Sequence, residues 1–329
     1  MIWRSVCCEV QGRGHIKTGT PCQDKTMQLV QNGTHVIALA DGAGSANLSH
    51  FGAECIVQRI SEYMVNHFED LFANEDGKQV KQELLDMLKN ALLNIAVELE
   101  CVVKDLASTL LAVAVREDRY IIIHIGDGVI GYLKDSDLKV ASVPDNGEFS
   151  NVTTFVTSSE ALTSMRLFKG KLDNISAFIL MSDGTEQSLY HKPTKTIGGA
   201  VVKLMQRTCL IDSDVMHDQL ENTLASVITQ NTQDDCSIAI LARPIGALYS
   251  LENLSFEERL KLFQIDLTDP HVKKRIARYD MIICLLTVPQ SLQQISRKIH
   301  LNPKYTKRHL NQLFEAGIIT KVGSQYLRA

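Results

Sequence analysis

The chain has 329 residues, 45% hydrophobic and 22% charged, with 34 Lys and Arg against 38 Asp and Glu and a formal net charge of −4. These figures exclude a disordered, collagenous or coiled-coil protein and leave room for one large domain and a small one. The longest apolar runs, Thr109–Val115 and Met281–Leu286, fall far short of the ~20 residues that span a bilayer, and Met1–Val10 lacks a signal peptide's apolar core, so a cytoplasmic protein with no membrane partner is expected.

In chain order, Val36–Ala40, Thr109–Val115, Tyr120–Ile125, Ala177–Met181 and Ser237–Leu241 are short, mostly β-branched apolar runs and read as buried strands. Phe51–Phe72 and Gln79–Lys104 carry apolar residues at three-and-four spacing and read as helices with one face on a sheet. The two-residue link Glu117-Asp118 predicts an antiparallel hairpin between the second and third strands. This order favours an α+β layered sandwich. His124 lies in an apolar strand and reads as a satisfied core histidine, whereas Pro144–Leu172, rich in Ser, Thr and Asn, reads as a surface loop. Pro244, Gly246 and Ser250 mark a linker, and Ser255–Glu258 looks like a capping box opening a short helix to about Gln264. The domains are thus 1–243, a linker with a short helix at 244–272, and 273–329.

The last segment reads as three helices and a hairpin: Lys273–Leu286, Leu292–Ile299 capped by Ser291, Lys304–Ala316 opened near Asn302 and closed at Gly317, then two strands around Gly323-Ser324. That is a winged helix-turn-helix pattern. From His271 onward the chain carries +9, which leaves −13 on the first 270 residues. An acidic body and a basic tail suit different partners. Lys304, Lys307 and Arg308 are the expected contacts to DNA or to a protein partner. Eight cysteines without a CxxC pair are expected to be reduced thiols.

Acidic motifs stand where strands stop: Gln23-Asp24, Asp41-Gly42-Ala43-Gly44, Gly126-Asp127-Gly128, Ser182-Asp183-Gly184 and Asp234-Asp235. Any one of them is commonly just a turn. Together they suggest hard oxygen ligands for Mg²⁺ or Mn²⁺, because converging carboxylates repel one another and a dication compensates. With Ala107–Ala112 and Tyr132, their order resembles that of the metal-dependent protein phosphatases of the type 2C class. The likeness is closest to the compact bacterial branch, through Gly14-His15 and Cys22-Gln23-Asp24.

The resemblance covers about three quarters of the chain and implies a four-layer α/β/β/α sandwich with a two-metal cleft. It implies that Asp41 bridges both ions, that the Gly42 carbonyl binds one, that Asp183 and Asp234 hold the other, that Asp24 acts through water, and that Asp127 serves a third, weaker ion. Asp41, Asp183 and Asp234 are then the catalytic set. Asp235 stands one place late in the pattern, Ser108-Thr109 falls in a supporting motif, and Glu186 or Gln187 stands near the third ion. Pro144–Leu172 resembles by position the family's mobile flap. The implied reaction is hydrolysis of phosphoserine and phosphothreonine on proteins by a metal-activated water, without a phosphoenzyme. A Ser/Thr kinase partner is implied as well.

Three departures stand out. No His follows Asp41-Gly42, where many relatives place one to protonate the leaving group. Gly19 and Thr20 occupy the region of the relatives' phosphate-gripping Arg, leaving His15, Lys17, Arg13 or Arg4 as substitutes. Gln23 replaces the usual Glu. They motivate a second reading, a catalytically weak pseudophosphatase or a phosphoprotein-sensing transcriptional regulator.

Overall fold

The computed structural model describes residues 3–145, 153–244, 254–266, 268–316 and 318–328. The linker residues Gly246 and Ser250, residues 146–152 of the expected flap and Gly317 lie outside the described residues.

Two five-stranded antiparallel sheets stack face to face. One has the order β1-β12-β9-β6-β7, from Arg4–Val10, Cys236–Ala242, Ile175–Met181, Val129–Lys134 and Asp137–Ser142. The other has the order β2-β3-β4-β5-β8, from Lys25–Gln31, Thr34–Ala40, Leu110–Arg116, Arg119–Ile125 and Arg166–Lys171. Alternate side chains of the central strands, among them Ile37, Leu39, Val113, Phe178, Leu180 and Leu241, meet between the sheets. Their neighbours point outward, where α2 (Ser49–Ala73) and α3 (Gly77–Glu98) cover the second sheet. On the far side α6 (Ala200–Leu210) and α7 (Ser213–Ser226) cover the first sheet, preceded by a small ladder of β10 (Tyr190–His191) with β11 (Thr196–Ile197). Both faces of the central strands are therefore buried, which is why their sequences read as unbroken apolar runs. The layers are the α/β/β/α sandwich expected.

The hairpin β4–β5 turns at Glu117-Asp118 with Arg116 opposite Arg119, as its link predicts. The helix expected over Gln79–Lys104 is shorter. It ends at Glu98 because Glu100 takes a left-handed φ of 54° and the chain then forms a 3-10 turn at Val103–Leu106. The loop expected over Pro144–Leu172 contains a one-turn helix, α4 (Ala161–Ser164), and the edge strand β8. Lys169 and Arg166 give that strand its polar character. His124 is a satisfied core residue, with Nδ1 2.7 Å from Ser142 Oγ and Nε2 2.8 Å from the Gly126 carbonyl. Burial, with the nearby Arg166 charge, pushes it down to about 3. All eight cysteines are free.

Ser255 and Glu258 form the expected capping box at the head of α8 (Phe256–Leu262). Glu258 also pairs with Arg207 on α6, tying this helix to the body. Beyond it lie α9 (Val272–Leu285), α10 (Leu292–Lys298) and α11 (Pro303–Glu315). A three-stranded sheet follows from β13 (Gln290–Ser291), β15 (Gln325–Arg328) and β14 (Ile319–Val322). Tyr279, Ile283, Ile295, Leu310, Leu313 and Ile319 form its core. No helix among the described residues is long and apolar enough to cross a membrane.

Candidate active site

Strand register brings the aspartates together. Lys25 pairs with Ala40, so Asp24 before β2 and Asp41 after β3 leave the sheet at the same end. Leu110 pairs with Ile125, which puts Asp127 at that end of β5. In the other sheet Met181 pairs with Ile238, so Asp183 after β9 and Asp234-Asp235 before β12 stand together. The sheets stack with these ends aligned, and five carboxylates from five strand ends face one another.

Hydrogen bonds fix the loops that carry them. The Asp41 amide donates to Thr109 Oγ1 at 2.9 Å, and the Thr109 amide donates to the Asp41 carbonyl at 2.8 Å. Thr109 thus pins the residue after β3, and Gly42 bridges to Ser108. Asp24 is buried and accepts from Ser237 Oγ at 2.7 Å. Asp127 accepts from Thr153 Oγ1 at 2.5 Å. Asp183 starts α5 (Asp183–Leu189), and a Cβ at Gly184 would sit 2.1 Å from the Asp235 carbonyl, so only glycine lets these two loops touch.

The electrostatics are those of uncompensated like charge. Burial, then Asp24, Asp183, Asp127 and Asp234 in turn, hold the Asp41 carboxyl well above the usual carboxylate range. Asp183 is pushed up to about 6, by burial first and by Asp234 and Asp127 next. Asp24 is raised too, chiefly by burial, although the Ser237 hydrogen bond opposes it. Two buried oxygens, Asp183 Oδ1 and Gln23 Oε1, have no hydrogen-bond partner. Among the described residues no three His, Cys, Asp or Glu side chains form a cage able to hold an ion by themselves. An open set of hard oxygens with orphaned acceptors fits Mg²⁺ or Mn²⁺, ions that keep several waters and need few protein ligands.

The two adjacent aspartates diverge. Asp234 is exposed, whereas Asp235 is buried and accepts from the Gly12 amide at 2.7 Å and the Gln23 amide at 2.6 Å. It also holds His15 Nδ1 at 2.9 Å. Asp235 is a structural hub joining α1 (Arg13–Thr18), the Gln23 loop and the start of β12. Nothing in the Asp-Asp dipeptide shows this, because the partners come from residues 12 to 23 in a loop seated by tertiary packing.

The phosphate-binding substitutes separate. Arg4 lies at the opposite end of β1, paired with Ala242, about 20 Å of strand from Val10, and donates to the Ile211 carbonyl. It is not at the site. Arg13 spends its guanidinium on the carbonyls of Gln230 and Thr232, which rigidifies the loop before Asp234. Lys17 is exposed on α1. His15 alone of the four is held by a buried carboxylate. Glu186 is buried with its carboxylate 2.5 Å from Lys192 Nζ, while Gln187 is exposed.

Residues 11–226 match the protein phosphatase 2C family. The chain is 26% identical over 259 residues to Serine/threonine-protein phosphatase 3 of Escherichia coli (strain K12), covering 73% of this chain and 98% of that protein. Its fold is similar to that of a bacterial serine phosphatase, with a TM-score of 0.51 and 14% identity over 72% of this chain and 96% of that one. It is similar also to the S. agalactiae serine/threonine phosphatase, with a TM-score of 0.50 and 16% identity over 74% of this chain and 100% of that one. The matched region holds the strand ends that carry Asp24, Asp41, Asp127 and Asp183, and the chain belongs to the protein phosphatase 2C family as a serine/threonine protein phosphatase.

Proposed function

We propose that the protein hydrolyses phosphoserine and phosphothreonine on other proteins at a two-ion site built on Asp41, the Gly42 carbonyl, Asp183 and Asp234. The observation that carries this reading is the gathering of five carboxylates, with Asp41, Asp183 and Asp24 all raised, at one end of the sandwich. Two Mg²⁺ or Mn²⁺ ions held there supply Lewis-acid activation of water and neutralise charge on the phosphoryl oxygens.

The chain's own residues do the positioning. Thr109 and Ser237 fix the backbone of Asp41 and the carboxylate of Asp24. Gln23, donating through Nε2 to Ser49 Oγ at 2.7 Å, keeps a buried Oε1 without a partner next to Asp24, and this is the acceptor it would offer an ion in place of the usual Glu. Asp127, restrained by Thr153, is the ligand of a third, more weakly held ion. His15, whose Nδ1 stands 2.9 Å from the buried Asp235 carboxylate, is the residue assigned to contact with the substrate phosphate. With water activated by the two ions no protein nucleophile is required, so the reaction would proceed without a covalent phosphoenzyme. The test is a rapid acid quench with a ³²P-labelled phosphoprotein and Mn²⁺: label is expected only as inorganic phosphate, and label retained on the enzyme overturns the direct route.

The C-terminal residues add a winged-helix docking module for DNA or a protein partner. Short α10, longer α11 and the β14–β15 hairpin follow that arrangement, and Lys304, Lys307 and Arg308 are exposed on α11. Gel-shift and pull-down assays on the full chain, with these three replaced by Ala, read its contribution.

A further inference from the structure

Between α9 and α11 lies a concave cleft of about 340 Å³ whose lining includes Lys274, Arg278, Tyr305, Arg308 and His309. Lys274 and Arg278 are one turn apart on α9 and so share a face, and Tyr305, Arg308 and His309 come from the adjoining flank of α11. Among the described residues none of Lys274, Arg278 and Arg308 has a carboxylate at ion-pair distance, whereas Arg275 beside them is consumed by Asp269 at 2.6 Å and Gln312 at 2.8 Å. The local acid is thereby neutralised, and three cations are left facing one hollow.

We propose that this cleft binds a phosphate monoester carried on a protein segment, with Arg278 and Arg308 gripping the phosphate oxygens, Lys274 adding charge and Tyr305 covering the peptide beside it. The cleft is built rather than incidental. Arg278 Nη1 lies 3.3 Å from His309 Nε2, and the His309 ring packs edge-on against Tyr279, 5.3 Å between centroids. Burial and the Arg278, Arg275 and Arg308 charges push His309 down to about 4, so at neutral pH it is an uncharged acceptor that orients the guanidinium. Planar guanidinium groups converging on one point suit a phosphate dianion by paired, charge-assisted hydrogen bonds. Duplex DNA is met by cations strung along an exposed face, whereas Lys274, Arg278 and Arg308 line one hollow backed by the buried Tyr279, which suits a single phosphate group. The exposed Tyr305 gives an apolar lip that a peptide side chain can cover.

The choice of a phosphoprotein rests on the protein phosphatase assignment, because the proteins this enzyme acts on are the phosphate monoesters it meets. The cleft would hold one phosphorylated segment while another reaches the aspartates.

The test uses the full chain in EDTA, where turnover is suppressed, and fluorescence anisotropy with a labelled phosphothreonine peptide, its unphosphorylated twin and a short duplex DNA. The phosphopeptide is expected to bind, the twin is not, and Arg278→Ala with Arg308→Ala raises Kd tenfold or more. Arg308→Glu, at an exposed position that folding does not depend on, does the same. Mn²⁺-dependent turnover of p-nitrophenyl phosphate by the same variants stays at the wild-type level, and absence of that turnover in the wild type itself would indict the catalytic reading and not the cleft. Equal binding of both peptides, unchanged affinity in the variants, or duplex DNA binding lost in the variants without phosphopeptide binding overturns the proposal.

Discussion

Replacing Asp183 by Asn removes one charge from the crowded site at constant shape, and the consequence for the metal-free protein is calculable. The Asp183 carboxyl rises from its ordinary 3.8 to about 6, mainly through burial and the facing Asp234 and Asp127. A raised carboxyl binds its proton more tightly in the folded state, so the stability fully present below pH 3.8 is lost as pH rises through about 6. A displacement of that size corresponds to about 3 kcal/mol at neutral pH. Asp183→Asn never pays this cost, and in EDTA at pH 7.5 it should melt above wild type by roughly 5–10 °C. With divalent ion the gap closes, because saturation at about 100 Kd stabilises wild type by about 2.7 kcal/mol, close to what crowding costs it, and the variant has lost a ligand. Thermal melts at pH 5 and pH 7.5, with EDTA and with Mn²⁺, read both effects. A variant that melts below wild type in EDTA at pH 7.5, or that keeps the full Mn²⁺ shift, rules out carboxylate crowding as the origin of the instability.

Further expectations concern the supports of the site. Asp235→Ala strips acceptors from two buried amides and releases His15, so it should cost about 2–5 kcal/mol by denaturant melts, whereas His15→Ala should leave stability within about 1 kcal/mol and raise KM for phosphopeptide. Gly184→Ala drives a methyl into the Asp235 carbonyl and should cost about 1–3 kcal/mol while lowering turnover, read by melts and a phosphate-release assay. Glu258→Ala removes both the carboxylate half of the α8 capping box and its tie to Arg207; it should lower stability by about 1–2 kcal/mol and make α8 amides exchange faster with solvent, at unchanged kcat.

How much of this was legible in the sequence follows from where each strand sits. The central strands β3, β4, β5, β9 and β12 are covered on both faces, so their composition alone marks them. The edge strands β1, β2, β7 and β8 show mixed burial, and sequences such as RSVCCEV and RLFKGK carry charge that hides them. Strand β6 is central but is interrupted by Gly131 and an irregular register, which breaks its pattern. The aspartates were legible because each follows or precedes a strand, and chain order carried the family likeness. The Asp235–His15 pair was not, since it depends on Gly12 lying so close to the Asp234 backbone, 222 residues away in sequence, that a Cβ there would stand 2.3 Å from it. The cations of the tail were visible as composition, but their sorting into spent Arg275 and available Arg278 and Arg308 needed the helix faces.

Asp41 is the residue that four other aspartates surround, and catalysis at this end of the sandwich depends on it before any other. Mn²⁺-dependent release of phosphate from p-nitrophenyl phosphate by wild type and Asp41→Asn, each confirmed folded by circular dichroism, tests that dependence. Wild type should turn over only with divalent ion, and Asp41→Asn should lose at least about a hundredfold in kcat/KM, more than loss of a residue behind the ligands costs. Turnover that survives the substitution, or that proceeds equally in EDTA, contradicts metal-dependent hydrolysis at the aspartate cluster.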